Sequence, residues 1–396
     1  MSNDRNEWPA IRYETVDWHP AVPTSDSISG VPRRYRAAIP APIAGLTPAL
    51  DPAVVAAAEN AGAELTRFDA ELGHRVSAFA PVLLRSEAAS SSQIENLTAS
   101  ARAIFSAELG ARGSRNAELI AANTRAMTAA ISLAENLSPD MVRELHRVLM
   151  AEQPRHTPGQ WRTEAVWIGT HSDSPIGADF VAPVHERIPA LIDDLVAFAG
   201  RRDVPALVST AITHAQFETI HPFTDGNGRT GRALAQALLR NRGVTRNVAV
   251  PVSAGLLANV EGYHDALTAY RAGDPAAIVM SFAAAAGRAV ANARLLVAEV
   301  DDIRKSWDSR LTARRSSNAW RLLDVIARQP VLNSAAAAEA LDVKQPNVYP
   351  PLQALVDAGI LKSKAEHKLG PFWRSEEVLT AIDRFAARAG RREKAR

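Results

Sequence analysis

The chain has 396 residues, enough for two or three domains with a sizeable core. A formal net charge of +2 creates no global field that would point to nucleic acid or a membrane, and the absence of cysteine excludes disulfides and thiolate metal sites. The start, Met1-Ser-Asn-Asp-Arg-Asn-Glu7, lacks the basic and apolar stretches of a secretory leader, so a soluble, cytoplasmic protein without a membrane partner is expected.

Residues 1–50 carry proline and aromatic anchors (Trp8, Trp18, Pro20, Pro23, Pro32, Pro40, Pro42) without helical periodicity. They predict an extended arm laid over a neighbouring surface. From Asp51 the chain is alanine-rich and apolar at three- and four-residue spacing, so it reads as helical. Asp51-Pro52 and Ser138-Pro139-Asp140 each place a capping side chain before a first-turn proline. A helical region, 51–112, precedes a core, 113–290. One segment of that core breaks the pattern. Ala165-Val-Trp-Ile168 and Asp179-Phe-Val181 flank a polar, glycine-containing loop, which predicts a β-hairpin. The apolar stretch Ile278 to Val300 is interrupted by Arg288 and Arg294 and predicts a buried helix rather than a membrane span.

A linker helix, 291–315, leads to a final unit, 316–385, and a basic tail, 386–396. The unit runs through an amphipathic Trp320–Ile326, then Asn333–Leu341, then Gln345–Leu355, and ends near Phe372-Trp-Arg374. This order resembles a winged helix-turn-helix with a reading helix over Gln345 to Ala358. Pro350-Pro351 would disrupt or shorten that helix. Lys344, Gln345, Asn347, Lys362, Lys364 and Lys368 make a thin basic face, so protein docking or dimerisation is favoured over DNA.

The densest chemistry lies in His221-Pro-Phe-Thr-Asp-Gly-Asn-Gly-Arg-Thr-Gly-Arg232. Ala206–Ile220 and Ala233–Arg240 read as helices, so this run spans a loop and a helix start, where unpaired backbone N–H groups and the helix dipole attract anions. Gly226 and Gly228 let consecutive N–H groups converge. Arg229 and Arg232, three apart, share a helical face and can both reach a polyphosphate. His221 has the near-neutral pKa of a general base. Asp225 suits magnesium bridging phosphates, or a helix cap. Phe223 reads as a core anchor. His214 and Glu218, four apart, could suggest a metal site, but an internal hydrogen bond is preferred.

Every specified position of this run resembles the signature of Fic proteins, His-x-Phe-x-Asp/Glu-Gly-Asn-Gly-Arg-x-x-Arg. The resemblance covers roughly Asp51 to Gly287. It implies an all-α Fic fold with a small hairpin flap, joined here to the winged-helix-like unit. It further implies a nucleotide site at Gly226, Asn227, Gly228, Arg229, Thr230 and Arg232, with Arg232 on the γ-phosphate. Pro158-Gly-Gln-Trp-Arg162 followed by Val166, Trp167 and Ile168 is similar to the lead-in and flap that position a target segment by strand addition. Tyr263-His-Asp-Ala-Leu267 resembles a Tyr-Tyr-x-x-Leu stretch beside the adenine, with His264 replacing the second tyrosine. The implied activity is transfer of AMP from ATP, with Mg2+, to a Ser, Thr or Tyr hydroxyl of a target protein or of the chain itself. Gly228, where kinase-like relatives carry lysine, argues against γ-phosphate transfer. A DNA-binding regulator using the Fic core as a nucleotide sensor is the alternative, and the catalytic half of a toxin system ranks last.

Ser91-Ser-Gln-Ile-Glu95-Asn96 matches the Fic inhibitory pattern, Ser/Thr-x-x-x-Glu-Gly/Asn. The resemblance implies that Glu95 pairs with Arg232 and blocks γ-phosphate placement; release of the brake by dissociation of a homo-oligomer and release by self-modification both stay open. Glu95→Gly is therefore expected to raise self-modification strongly, read as label incorporated from ATP. Equal rates in the two proteins would remove the brake.

Overall fold

A computed structural model describes residues 8–18, 33–73, 76–169, 174–365 and 369–390. Lys368 of the expected wing and residues 391–396 of the basic tail lie outside them. In chain order the elements begin with β1 (Arg12–Trp18) and β2 (Arg33–Ile39), followed by helices α1 (Pro52–Leu72), α2 (Val76–Ile94), α3 (Ala101–Glu108), α4 (Arg115–Leu133) and α5 (Pro139–Leu149). Two-residue strands β3 (Trp167–Ile168) and β4 (Phe180–Val181) come next. Helices α6 (Ile188–Ala199), α7 (Ala206–Ile220), α8 (Asn227–Asn241), α9 (Val252–Leu257), α10 (Val260–Arg271) and α11 (Pro275–Arg310) follow. The chain closes with α12 (Asn318–Arg328), β5 (Val331–Leu332), α13 (Ser334–Leu341), α14 (Tyr349–Asp357), β6 (Lys362–Ala365), β7 (Pro371–Arg374) and α15 (Glu376–Ala389). The fold is mainly helical, with a small hairpin in the core.

Local chemistry sets these limits. Asp51 Oδ1 accepts the Ala53 N–H at 2.7 Å, and Ser138 Oγ accepts that of Met141 at 3.1 Å, so both capping signals start helices. The helix α2 stops because Asn96 takes a left-handed φ of 62°, which lets Asn96 N–H reach Gln93 O and Leu97 N–H reach Ser92 O. This is a Schellman closure, and it explains the choice of Asn or Gly at that position. Pro350 and Pro351 do not interrupt a helix running from Gln345. A 3-10 turn covers Gln345–Val348, and α14 begins at Tyr349 with the prolines in its first turn, where no N–H is missed. The arm is more ordered than an extended strap, since β1 and β2 pair antiparallel from Arg12↔Ile39 to Trp18↔Arg33.

The chain divides into two compact units that interleave in sequence. The first comprises 1–62, 129–242 and 261–283. In it α7 packs on α6 and α8, α5 packs on α8, and β2 lies against β4 of the flap. The second comprises 63–128, 243–260 and 284–396. In it α2 packs against α9, α12 and α15, and the terminal sheet has the order β5-β7-β6. By length and composition α11 could cross a membrane, yet half of its most apolar window is buried, including Phe282, Val290 and Leu296.

In the second unit Asp69, 4% exposed, accepts the backbone N–H groups of Arg246, Asn247 and Val248 and the Asn247 side-chain amide. Removing it orphans several donors at once, so Asp69→Ala is expected to cost about 3 kcal/mol, read as a lowered midpoint in urea unfolding.

Candidate active site

The helix α7 is buried along almost its whole length and ends in His221, which adopts φ 50° and ψ 62° and donates its backbone N–H to Phe217 O. A left-handed residue here turns the chain sharply out of the helix. The imidazole Nδ1 lies 3.3 Å from the Glu218 carbonyl. A carbonyl can only accept, so Nδ1 carries the proton and Nε2 is left with its lone pair. Burial, aided by the Arg271 and Arg162 guanidiniums, lowers the His221 pKa to about 4. The ring is thus a neutral proton acceptor at physiological pH, and its side chain retains 18% exposure.

The loop that follows is braced from inside. Asn227 closes a two-way bond with Phe223, its Oδ1 accepting the Phe223 N–H at 2.9 Å and its Nδ2 donating to the Phe223 carbonyl at 2.8 Å. Its side chain is therefore committed to the loop, and what it offers an anion is its backbone N–H. Phe223 is fully buried, as expected of an anchor, and stacks on His146 at 3.7 Å and against Trp161 at 5.0 Å. His146 Nδ1 accepts the Gly159 N–H, so its Nε2 donates to the Asp225 carbonyl at 3.1 Å. Nothing in the sequence around His146 marks this role.

The helix α8 begins at Asn227 with Gly226 as N-cap at φ 74°, and a glycine brings no side chain to cap the first N–H groups. This start lies earlier than Ala233, so Gly228, Arg229, Thr230 and Arg232 all sit in the first turns of a helix. Arg229 and Arg232 are only 3% and 4% exposed, which sets them apart from a solvated pair. Thr230 is fully buried. The two helices can approach this closely because residue 231 is glycine. A Cβ there would stand 2.6 Å from Glu218 Oε1 and 2.9 Å from Phe217 Cδ1. His214, on the same face of α7, bonds Tyr263 OH at 2.7 Å, the internal bond preferred over a metal. Tyr263 is thereby buried as a brace between α7 and α10.

Asp225 stands at the mouth with its side chain 42% exposed. Its Oδ1 accepts the Gly226 N–H at 2.7 Å and lies 3.7 Å from Arg229 Nη2. Among the described residues no group of three or more His, Cys, Asp or Glu is arranged to hold a metal by itself. Asp225 Oδ2 lies 3.6 Å from His156 Nε2, and a single half-exposed carboxylate of this kind fits an ion that completes its shell with water and phosphate oxygens, as magnesium does.

Arg162 organises the surroundings. It is 2% exposed, and its guanidinium donates to the carbonyls of His221 (2.8 Å), Glu164 (2.8 Å) and Pro183 (2.6 Å). These are the loop after α7 and the two sides of the flap. In the flap, Trp167 pairs with Val181 and Ile168 with Phe180, while Val166 O accepts the Ala182 N–H. Ile168 is 45% exposed. Ser91 is fully buried inside α2, and Glu95 follows that helix by one residue in the second unit.

Residues 136–239 match the model of the Fic/DOC family. A stretch of 93 residues is 37% identical to a probable protein adenylyltransferase of Aquifex aeolicus, covering 21% of this chain and 29% of that protein. Another of 109 residues is 28% identical to the protein adenylyltransferase fic-1 of Caenorhabditis elegans, covering 28% and 20%. The chain thus spans less than a third of the length of either relative. The crystal structure of a Fic family protein from Desulfovibrio desulfuricans G20 is similar over 82% of this chain and 96% of that one, with a TM-score of 0.50 at 20% identity. That likeness concerns the fold.

Gly231→Ala is expected to push α8 off α7, costing about 1–3 kcal/mol of stability and displacing Arg232, read as a lower unfolding midpoint together with weakened triphosphate binding.

Proposed function

We propose that this chain, which carries a Fic/DOC family domain, is a protein adenylyltransferase that moves AMP from ATP to a Ser, Thr or Tyr hydroxyl of a target protein or of itself. The observation that carries this reading is the His221 imidazole, its Nδ1 3.3 Å from Glu218 O, in the loop that leads into a helix start with no side-chain cap and two buried arginines. Nε2 takes the hydroxyl proton as the oxygen attacks the α-phosphorus. The first N–H groups of α8 stabilise the charge that builds on the α-phosphate, and Arg229 and Arg232 hold the pyrophosphate that leaves. Asp225 would hold magnesium together with the phosphates, and the ion would supply charge neutralisation between them. The flap strand β3 receives the target segment by strand addition.

Glu95 is read as the inhibitory carboxylate at the end of α2, with Ser91 its partner one helical turn earlier and Asn96 the stop that ends the helix. The terminal elements, with a helix pair, a three-stranded sheet and a closing helix, are read as a winged helix. Tyr349, 45% exposed at the head of α14, favours a protein partner over DNA.

ATP labelled separately at the α- and γ-phosphate tests the reaction in the Glu95→Gly protein. Label on protein from the α position alone, lost in His221→Ala, is the expected result; label from γ would overturn nucleotidyl transfer in favour of kinase chemistry. The low His221 pKa adds a pH test. The base is neutral well above about pH 4 and is lost only as pH falls through that value, so kcat/KM should be flat between pH 6 and 8. A histidine-like inflection near 6.5 would show that burial does not hold the His221 imidazole below its ordinary value in the working protein.

A further inference from the structure

Beside the helix start of α8 the first unit encloses a cavity of about 600 Å³, open to solvent on one side. Three elements wall it: α10 through Leu267 and Arg271, the flap through Ile168 and Phe180, and the N-terminal hairpin through Ile11 and Tyr13. Ile168 and Tyr13 are 45% and 42% exposed, so large apolar groups face an empty slot. Such a slot is matched by a flat ligand with apolar faces and a polar edge. The polar element is Arg271. Its guanidinium lies 3.8 Å over the Phe180 ring, and its Nε is buried without a hydrogen-bond partner.

The slot connects to α8 through packed side chains: His264 on its wall lies against Tyr263 at 5.4 Å, Tyr263 OH bonds His214 at 2.7 Å, and His214 Nδ1 would stand 3.3 Å from a Cβ at Gly231 of α8. A nucleotide with its phosphates on α8 has this slot within reach of its base.

The hairpin wall is built in. Ile11 N–H donates to Arg271 O at 2.9 Å, and Trp8 packs edge-on to Phe198 and tilted to Tyr270. Gly273 at φ +100° lets the arm pass, since a Cβ there would stand 2.9 Å from Trp8 O. On the far side Glu14 and Arg187 form a two-bonded ion pair at 2.8 and 3.0 Å, and Trp18 meets Trp167 of the flap edge-on at 5.7 Å. The arm is thereby fastened to both α10 and the flap, and it lies outside the residues that match the family.

We propose that the N-terminal hairpin is part of the nucleotide site: Ile11 and Tyr13 cover the face of the base, and the Arg271 guanidinium donates to its edge. Base affinity then resides in the arm and α10, and triphosphate affinity in the cradle. The inference rests on the nucleotidyl-transfer reading and specifies the part of its site that the signature does not cover.

Calorimetry on the full chain tests it, with ATP and with inorganic tripolyphosphate as a probe lacking a base, in a His221→Ala background that prevents turnover. Tyr13→Ala, at an exposed position, is expected to weaken ATP binding roughly 5- to 20-fold and leave tripolyphosphate unchanged, with Tyr13→Phe restoring affinity. Arg271→Lys should weaken ATP selectively as well. With His221 present, KM for ATP should rise in Tyr13→Ala while kcat holds. Unchanged ATP affinity in Tyr13→Ala, or equal losses for both probes, overturns the inference and leaves transfer standing. ATP bound no more tightly than tripolyphosphate by the parent also overturns it, and a parent that binds neither removes the nucleotide reading with it.

Discussion

Arg162 holds three carbonyls that belong to three different stretches of chain, and the geometry of the site follows from that one side chain. Its partners are neutral dipoles, without a carboxylate among them. Burial lowers its pKa to about 10, so the charge survives at neutral pH and the carbonyls must compensate for lost water. A charged donor bonded to several backbone oxygens in a dry interior tolerates little displacement, because each lost bond would leave part of a buried charge unsolvated. The consequence is positional. The His221 carbonyl is held, and the left-handed turn at His221 is held with it. The same guanidinium fixes the base of the hairpin, so the loop that carries His221 and the β3–β4 strands are registered to one side chain.

The anion cradle shows the complementary economy. Two nearly buried guanidiniums in the first turns of α8 work against the helix dipole, since cations are favoured at the other end. Asp225 Oδ1, 3.7 Å from Arg229 Nη2, supplies opposing charge at this end, and on the nucleotidyl-transfer reading a polyphosphate at the uncapped N–H groups would supply more. The close approach of α7 and α8 at Gly231 keeps the two halves of the machinery, base and cradle, on rigid elements.

Much of this was legible in sequence because it is local. The capping pairs at Asp51 and Ser138, the limits of α7, the flap around Trp167 and the αL glycine at Gly226 all follow from residues within a few positions of one another. What escaped depends on distant partners. His146 looks ordinary in its own segment and acquires meaning only when Asp225 is folded against it, and Arg162, legible as part of a motif, shows its bonds to His221 and Pro183 only in the fold. The hairpin of β1 and β2 was read only as an extended arm because its pairing joins strands well separated in sequence. Asn227 stands in the middle of an anion-binding motif, yet its side chain serves the loop; pattern alone cannot separate the backbone's role from the side chain's. Tyr263 and His264 show the same limit, since a one-residue step around a helix decides which ring is buried and which faces the cavity.

These layers divide the work of recognition. Main-chain N–H groups and arginines read charge, which every nucleoside triphosphate carries alike, so the cradle by itself has little means of choosing among bases. Selection has to come from groups that meet the base, and in the first unit the slot beside the cradle is furnished by α10, the flap and the arm. The matched family segment ends at residue 239, before α10 begins, and starts long after the arm. The flap wall of the slot therefore lies within the matched segment, and the α10 and arm walls lie outside it. Because the arm is pinned to the flap through Trp18 and Trp167 as well as to α10 through Ile11, the three walls of the slot are tied to one another, and displacing any one of them strains the other two.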